Sequence, residues 1–285
     1  MMRLLLLLCF SALAIPCCAS HVVTDELGHS VTVPDHPHRI VCLTPAITDT
    51  VFSLGAADDV AAVTDFVHYP VAATKKPSVG SISDPSLEAM LALHPDLVLA
   101  TPLFTQQAIL DRLTHLNIPV FLVEPHGVAG ILRSVTDVGH AIGRDSEAAK
   151  LVASLQQRIA AVRARVQGQP VISVFRPISY DPVITMGKGA FSTELIDIAG
   201  GYSITADLPQ EWTQIGMEAV IARAPQALLM TRNGKITLAM LRTRPGWNTL
   251  PAVRDGRVYW IDFRFELPSP VAIDALEDLA RQFHP

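Results

Sequence analysis

The residues of this 285-residue chain that could do chemistry are ten histidines, two matched glutamates and Cys42, the one cysteine outside the N-terminal segment. His36 and His38, in the run HPH, invite a metal reading. A metal site needs three or four converging ligands and an oriented outer shell, and no tight cluster of donors accompanies that pair. They read as part of a solvated, proline-rich entry loop. His68, in DFVHYP, lies in a strand-to-helix loop beside Phe66 and Tyr69, a place that suits ligand contact and ordinary loop packing equally. No G-x-S-x-G nucleophile elbow is present. MGKGAFS (186–192) has two glycines and a lysine without the spacing of a phosphate-cradling loop. Cys42, in RIVCLTP, reads as a small buried core residue. No catalytic or metal-binding residue is assigned, and an exported metal-dependent hydrolase using the histidines is the rival reading.

The glutamates are more informative. SLEAMLALHPDLVLA (86–100) returns 130 positions later as GMEAVIARAPQALLM (216–230), with Glu88 and Glu218, Ala89 and Ala219, Ala92 and Ala222, Pro95 and Pro225 in register. Helix-then-strand units built by one rule would look alike; two lobes of one topology would repeat the order as well. Each glutamate falls in a first helical turn, where the helix dipole favours a carboxylate by ~0.3–1 kcal/mol. In two related lobes, the same residues would present a near-twofold pair of charges, a match for basic sockets on a symmetric partner.

Aromatic placement points to binding. Trp212 lies in the polar loop DLPQEWTQI, where no core periodicity accounts for it. It suits a binding wall, or a cap over a sheet end. Phe66, Tyr69, Phe104, Phe191 and Phe265 fall at expected strand ends or in the following loops, the edge where open α/β sheets take ligands.

These side chains have to be positioned by a regular alternation. From Arg39, IVCLT, ITDTVFSLG, VAAVTD, SLEAMLALH, LVLAT, QQAILDRLTHLN and VFLVE read as strand and helix in turn, the pattern of a parallel sheet covered by helices. After HGVAGILRSVTDVGHAIG comes DSEAAKLVASLQQRIAAVRARVQGQ, where Leu151, Leu155, Ile159, Val162 and Val166 make one apolar stripe. About 22 residues at 1.5 Å each give a rod of roughly 33 Å, long enough to bridge two lobes. Asp145 or Ser146 can cap it. Beyond Pro170 the alternation restarts.

The composition, 49% hydrophobic and 17% charged, is that of a folded globular protein. A net charge of −5 leaves no basic stripe for a nucleic-acid backbone. Residues 1–19 read as a secretory signal: Arg3, then LLLLLCF and SALAI, then PCCAS for cleavage. Cleavage after Ala19 would leave Cys42 alone, without a disulfide; lipidation at Cys17 or Cys18 is the second choice, since Pro16 makes a poor lipobox.

RIVCLTPAITDTVFSLGAADDVAAVTDFVHYP, PSVGSISDPSLEAMLALHPDLVLA, FSTELIDIAGG, the tryptophan before IGMEAVIARAPQALLM, and WNTLPAVRDGRVYWID together resemble the periplasmic solute-binding proteins of the cobalamin and ferric-siderophore import family, nearest the cobalamin branch. The match runs from about Arg39 to the C-terminus. The resemblance implies an α/β fold of two Rossmann-like lobes with central parallel sheets joined by one long helix: an N-terminal lobe at 20–143, a connecting helix at 144–168 and a C-terminal lobe at 169–285. It implies a periplasmic monomer, not an enzyme, that delivers cobalamin or a related corrinoid, or else a haem or siderophore, to an inner-membrane ABC permease dimer. It places Pro45, Phe66 and Trp212 in the cleft. Phe265 is expected to join them on the wall, with Glu266 at the rim, and Glu88 and Glu218 match the permease-docking glutamates. The sequence departs from the branch at Ile82, where an aromatic is common, and at Val271, which stands in place of an arginine. Arg176 and Arg264 are the chief arginines in expected cleft loops.

Overall fold

The computed structural model of the chain describes residues 19–232 and 237–285. The expected signal segment, apart from Ala19, lies outside them, as do Cys17 and Cys18. A short hairpin, β1 (Ser20–Thr24) with β2 (Ser30–Pro34), precedes the first lobe.

That lobe is a parallel sheet of β3 (Ile40–Cys42), β4 (Val60–Ala62), β5 (Leu97–Ala100) and β6 (Val120–Leu122), in the order β4-β3-β5-β6. Buried on both faces, β3 and β5 are continuous apolar runs, as a covered parallel sheet requires. Its helices are α1 (Pro45–Ser53), α2 (Leu87–Ala92), α3 (Gln107–His115) and α4 (Gly127–Ala141). Local chemistry starts two of them: the Thr44 side chain accepts from the Ile47 N–H with Pro45 in the first turn, and Ser86 accepts from Ala89.

The long helix α5 (Asp145–Val166) then crosses to the second lobe. Its Leu155, Ile159 and Val162 are buried. Asp145 is its first residue rather than its cap; Arg144 holds the cap position without a side-chain bond. Arg158 ties the helix to the C-terminal end of the chain through Glu277 (2.7 Å) and Asp274 (2.5 Å).

The second lobe contains β7 (Ile172–Phe175), a three-stranded antiparallel insertion described below, then α6 (Phe191–Ile198), β10 (Gly201–Ser203), α7 (Met217–Arg223), β12 (Ala227–Thr231), α8 (Leu238–Thr243), α9 (Pro251–Arg254), β13 (Val258–Ile261) and α10 (Ala272–Phe283). Its parallel strands run β10-β7-β12-β13. Numbered within each lobe, both sheets have the order 2-1-3-4. Equal topology explains the doubled sequence: α2 and α7 each lie between the second and third strands of their lobe, and Glu88 and Glu218 are each the second residue of the helix. Both are exposed.

The insertion consists of β8 (Pro177–Tyr180), β9 (Val183–Met186) and β11 (Trp212–Gln214), ordered β11-β9-β8. It was not expected from the alternation.

One core runs through both lobes. Ile47 and Val51 of α1, Val135 of α4, Ile159 of α5, Leu195 of α6 and Leu276 of α10 belong to the same buried cluster, while each sheet's outer face has a smaller cluster of its own. A shared, close-packed interior between lobes favours small adjustments over a wide hinge swing. Cys42 is fully buried in that shared core, and burial pushes its thiol up to about 12. Alkylation by iodoacetamide at pH 8, mapped by peptide mass spectrometry, is therefore expected to spare Cys42 in the native protein and to modify it after unfolding.

Candidate ligand-binding cleft

Parallel strands end where their loops begin, and the carboxyl edges of both sheets contribute loops to one cleft between the lobes. From the first lobe come Pro45, Ile47 and Thr50 after β3, Leu103 and Phe104 after β5, Glu124 and His126 after β6, and Ile82. The second lobe supplies Met186, Phe191, Glu211, Trp212 and Glu266–Pro268. The enclosed volume is about 270 Å³ and mostly apolar. Its mouth is open, so a large solute would be gripped between two walls with much of it outside.

The insertion accounts for Trp212. Its strand β11 pairs antiparallel with β9, setting Trp212 opposite Met186 at the edge of the cleft. The indole is 54% exposed, which means that it is held by the sheet's backbone and not by a core. Phe104 and Leu103 stand exposed on the facing lobe. An apolar pair of walls presented to solvent is costly unless something covers it.

Beneath the second wall lies a polar knot. Arg176, the first residue after β7, is 2% exposed and donates to Glu266 through Nη2. Its Nη1 reaches Met186 Sδ at 2.7 Å and Ser192 Oγ at 3.3 Å. Thr231 Oγ1 donates to the same Glu266 oxygen at 3.4 Å. A buried guanidinium is tolerable only when paired, and Glu266 is its partner. Arg176 therefore neutralises a wall carboxylate from below instead of offering a cation to the ligand. Arg264 is likewise engaged, with Asp262 and Asp278 at 2.7 Å each, and does not line the cavity.

Of the five expected contact residues, Pro45, Trp212 and Glu266 line one cavity. Phe265 does not: it is 0% exposed, its ring lies 5.4 Å below the Arg176 guanidinium, and it belongs to the shared core. The expectation that it forms a wall is corrected; a residue in the short turn after β13 alternates between core and cleft, and Glu266 took the cleft side. Phe66 is 56% exposed but outside the enclosed volume. Its loop instead carries Tyr69, whose ring packs on Phe263 of the other lobe at 5.8 Å. Val271, where the resembling branch has arginine, is buried in this chain.

Sequence reasoning missed Glu124, His126 and Glu211. The first two could have been found, since Glu124 ends the strand-like run VFLVE and His126 lies two residues beyond it. The histidines pair with carboxylates: His38 with Asp59 at 2.9 Å, His140 with Asp145 at 2.9 Å and His21 with Asp35 at 3.0 Å, with the His21 and His140 rings 5.1 Å apart. Among the described residues no three His, Cys, Asp or Glu side chains are placed to hold a metal ion, and no helix is long and apolar enough to cross a membrane.

Comparison with known proteins agrees with this geometry. The chain is 28% identical over 271 residues to YvrC, an uncharacterized ABC transporter substrate-binding lipoprotein of Bacillus subtilis (strain 168), covering 92% of this chain and 85% of that protein. It is 24% identical over 261 residues to the vitamin B12-binding protein of Vibrio parahaemolyticus, covering 89% of this chain and 92% of its relative. The periplasmic heme-binding protein RhuT from Roseiflexus superposes with a TM-score of 0.78 at 26% identity, over 87% of this chain and 98% of the other. The profile of a whole family, periplasmic binding protein, matches residues 40–265. With two 2-1-3-4 sheets, one bridging helix and an apolar cleft at their facing edges, the chain belongs to the periplasmic binding protein family.

Proposed function

We propose that the protein is the exported substrate-binding component of an ABC importer, which captures cobalamin or a related corrinoid between its lobes and delivers it, as a monomer, to an inner-membrane permease dimer. The single observation that carries the ligand reading is the charge of the cleft. Its walls are apolar, with Trp212, Phe104 and Phe191 among them, while its carboxylates unpaired among the described residues are Glu124 and Glu211, Glu266 being held in an ion pair with Arg176. Among the described residues no Lys or Arg lines the cavity, and Arg176 beneath it is buried and spent on Glu266. Such a rim attracts amide N–H donors and repels carboxylates. A corrin ring edged with amides fits that pattern. Haem, with two propionates, meets it less well, and so does an anionic siderophore. The vitamin B12-binding relative supports the same choice; similarity to RhuT keeps haem as the second reading.

Residues 1–19 serve as the export signal in this proposal, and the mature chain begins at the β1–β2 hairpin. Glu88 and Glu218 dock on the permease. The test of the ligand is titration of the purified protein with cyanocobalamin, followed by visible absorbance and calorimetry, with hemin in parallel. Saturable one-to-one binding of cyanocobalamin is expected. No binding up to about 50 µM, a free energy weaker than about −6 kcal/mol, would sink the corrinoid assignment, and tight hemin binding would replace it with the second reading.

A further inference from the structure

Helices α4 and α10, which begin beside the cleft, lack local caps. Neither His126, before α4, nor Val271, before α10, makes a side-chain capping bond. In each case the first backbone N–H groups are exposed to whatever lies opposite. What lies opposite is a carboxylate from the other lobe. Asp49 of α1 accepts the Val271 N–H at 3.0 Å, and Glu194 of α6 accepts the Val128 N–H at 2.7 Å.

The two bonds correspond through the repeat. α1 and α6 are each the first helix of their lobe, α4 and α10 each the helix after the fourth strand. So the first helix of each lobe caps the last helix of the other. The contacts join residues 222 and 66 positions apart, and both reach across the joint between lobes. They also sit against the cleft walls. Ile47 and Thr50 flank Asp49, His126 precedes Gly127, and Phe191 shares α6 with Glu194; all four line the cavity.

Gly127 gives independent evidence that the second contact is built in. It has φ +66°, and a Cβ at that position would lie 2.7 Å from the Glu194 oxygen. Any side chain larger than hydrogen would displace the carboxylate.

We infer that Asp49 and Glu194 are positioning residues, a reciprocal pair of interlobe caps that fixes the separation of the cleft walls before a solute arrives. Each lobe presents a carboxyl oxygen to the positive end of a helix dipole in its neighbour, at a buried contact for Asp49 and a part-buried one for Glu194. Preorganising the walls lowers the ordering cost of binding and slows release. Burial raises the Asp49 carboxyl above its ordinary range, partly offset by the Val271 N–H; a protonated Asp49 keeps a carbonyl oxygen for that N–H.

The inference about walls and release rests on the solute-binding reading, while the caps themselves can be tested without solute. Residue-resolved hydrogen exchange at Val128 and Val271 would be measured in the full protein and in Asp49→Ala, Glu194→Ala and Gly127→Ala, with Val98 in β5 as the reference for global unfolding. Loss of one cap is expected to speed exchange about tenfold at its own amide, and measurably at the other, because the two close one joint. Asp49→Asn, which keeps an acceptor oxygen, is expected to restore most of the protection at Val271. Cyanocobalamin dissociation is expected to accelerate in the three cap-breaking variants.

Exchange that rises only at the amide whose partner was removed, or equally at Val98, would overturn the inference: the first makes each cap a local matter, the second reduces it to global stability. Unchanged dissociation with coupled exchange would overturn the role in setting the walls. If the wild-type protein fails to bind cyanocobalamin, the corrinoid assignment falls, and the coupling of the two amides alone judges the caps.

Discussion

Trp212→Ala is expected to weaken cyanocobalamin binding by about thirtyfold, close to 2 kcal/mol, with little change in melting temperature. The two halves of that expectation have separate physical grounds. A large exposed aromatic on an apolar wall contributes dispersion and area when a flat solute covers it, and truncation leaves a hole that water fills. The indole is more than half exposed and is carried by backbone pairing of β11 with β9, so its loss removes few buried contacts. Calorimetry and thermal unfolding on the same preparation check both halves. Equal affinity in wild type and variant would mean that the solute does not touch this wall; a large drop in melting temperature would mean that the tryptophan is a structural cap.

The second large effect concerns transport. Glu88→Ala together with Glu218→Ala is expected to reduce uptake of the solute in cells by far more than tenfold, leaving the affinity of the isolated protein unchanged. Both carboxylates are exposed at the second position of topologically equivalent helices, and neither forms an ion pair among the described residues. Charges at a protein interface, removed from one side only, cost about 2 kcal/mol or more each, so two losses compound to about a thousandfold in docking. Single variants are expected to lie between wild type and the double variant. Normal uptake by the double variant, at normal protein levels, would show that the pair does not dock.

Several levels of this protein differ in how far they can be read from the chain. Alternating strands and helices, the stripe Leu151–Leu155–Ile159–Val162–Val166 and the doubled glutamate motif are local patterns. Each follows from the 3.6-residue period of a helix, the burial of parallel strands, or helix-end chemistry. The two-lobe fold followed from them, and Trp212 stood out as an indole in a polar loop, whereas Pro45 came only from the resemblance to the import family.

The three-stranded insertion escaped that reading: Pro177–Tyr180 and Val183–Met186 are four-residue strands with no long period to mark them, and their register depends on β11, some thirty residues away in sequence. Phe265 and Glu266 show the finer limit. Adjacent residues in one turn share the same local signal, and packing alone sent the ring into the core and the carboxylate to the cleft. Arg176 looks in sequence like a cation available to a ligand, and only its burial against Glu266 reveals otherwise.

By itself the sequence determined the alternating elements of the two parallel sheets, their order and the repeated position of Glu88 and Glu218, since these rest on interactions within a few residues. Tertiary structure alone decided that the described lining of the cleft carries carboxylates and no Lys or Arg, and it alone decided the crossed caps made by Asp49 and Glu194. Those depend on side chains from different elements meeting at an angle set by the packed core, and a bond between residues 222 positions apart leaves no periodic trace along the chain.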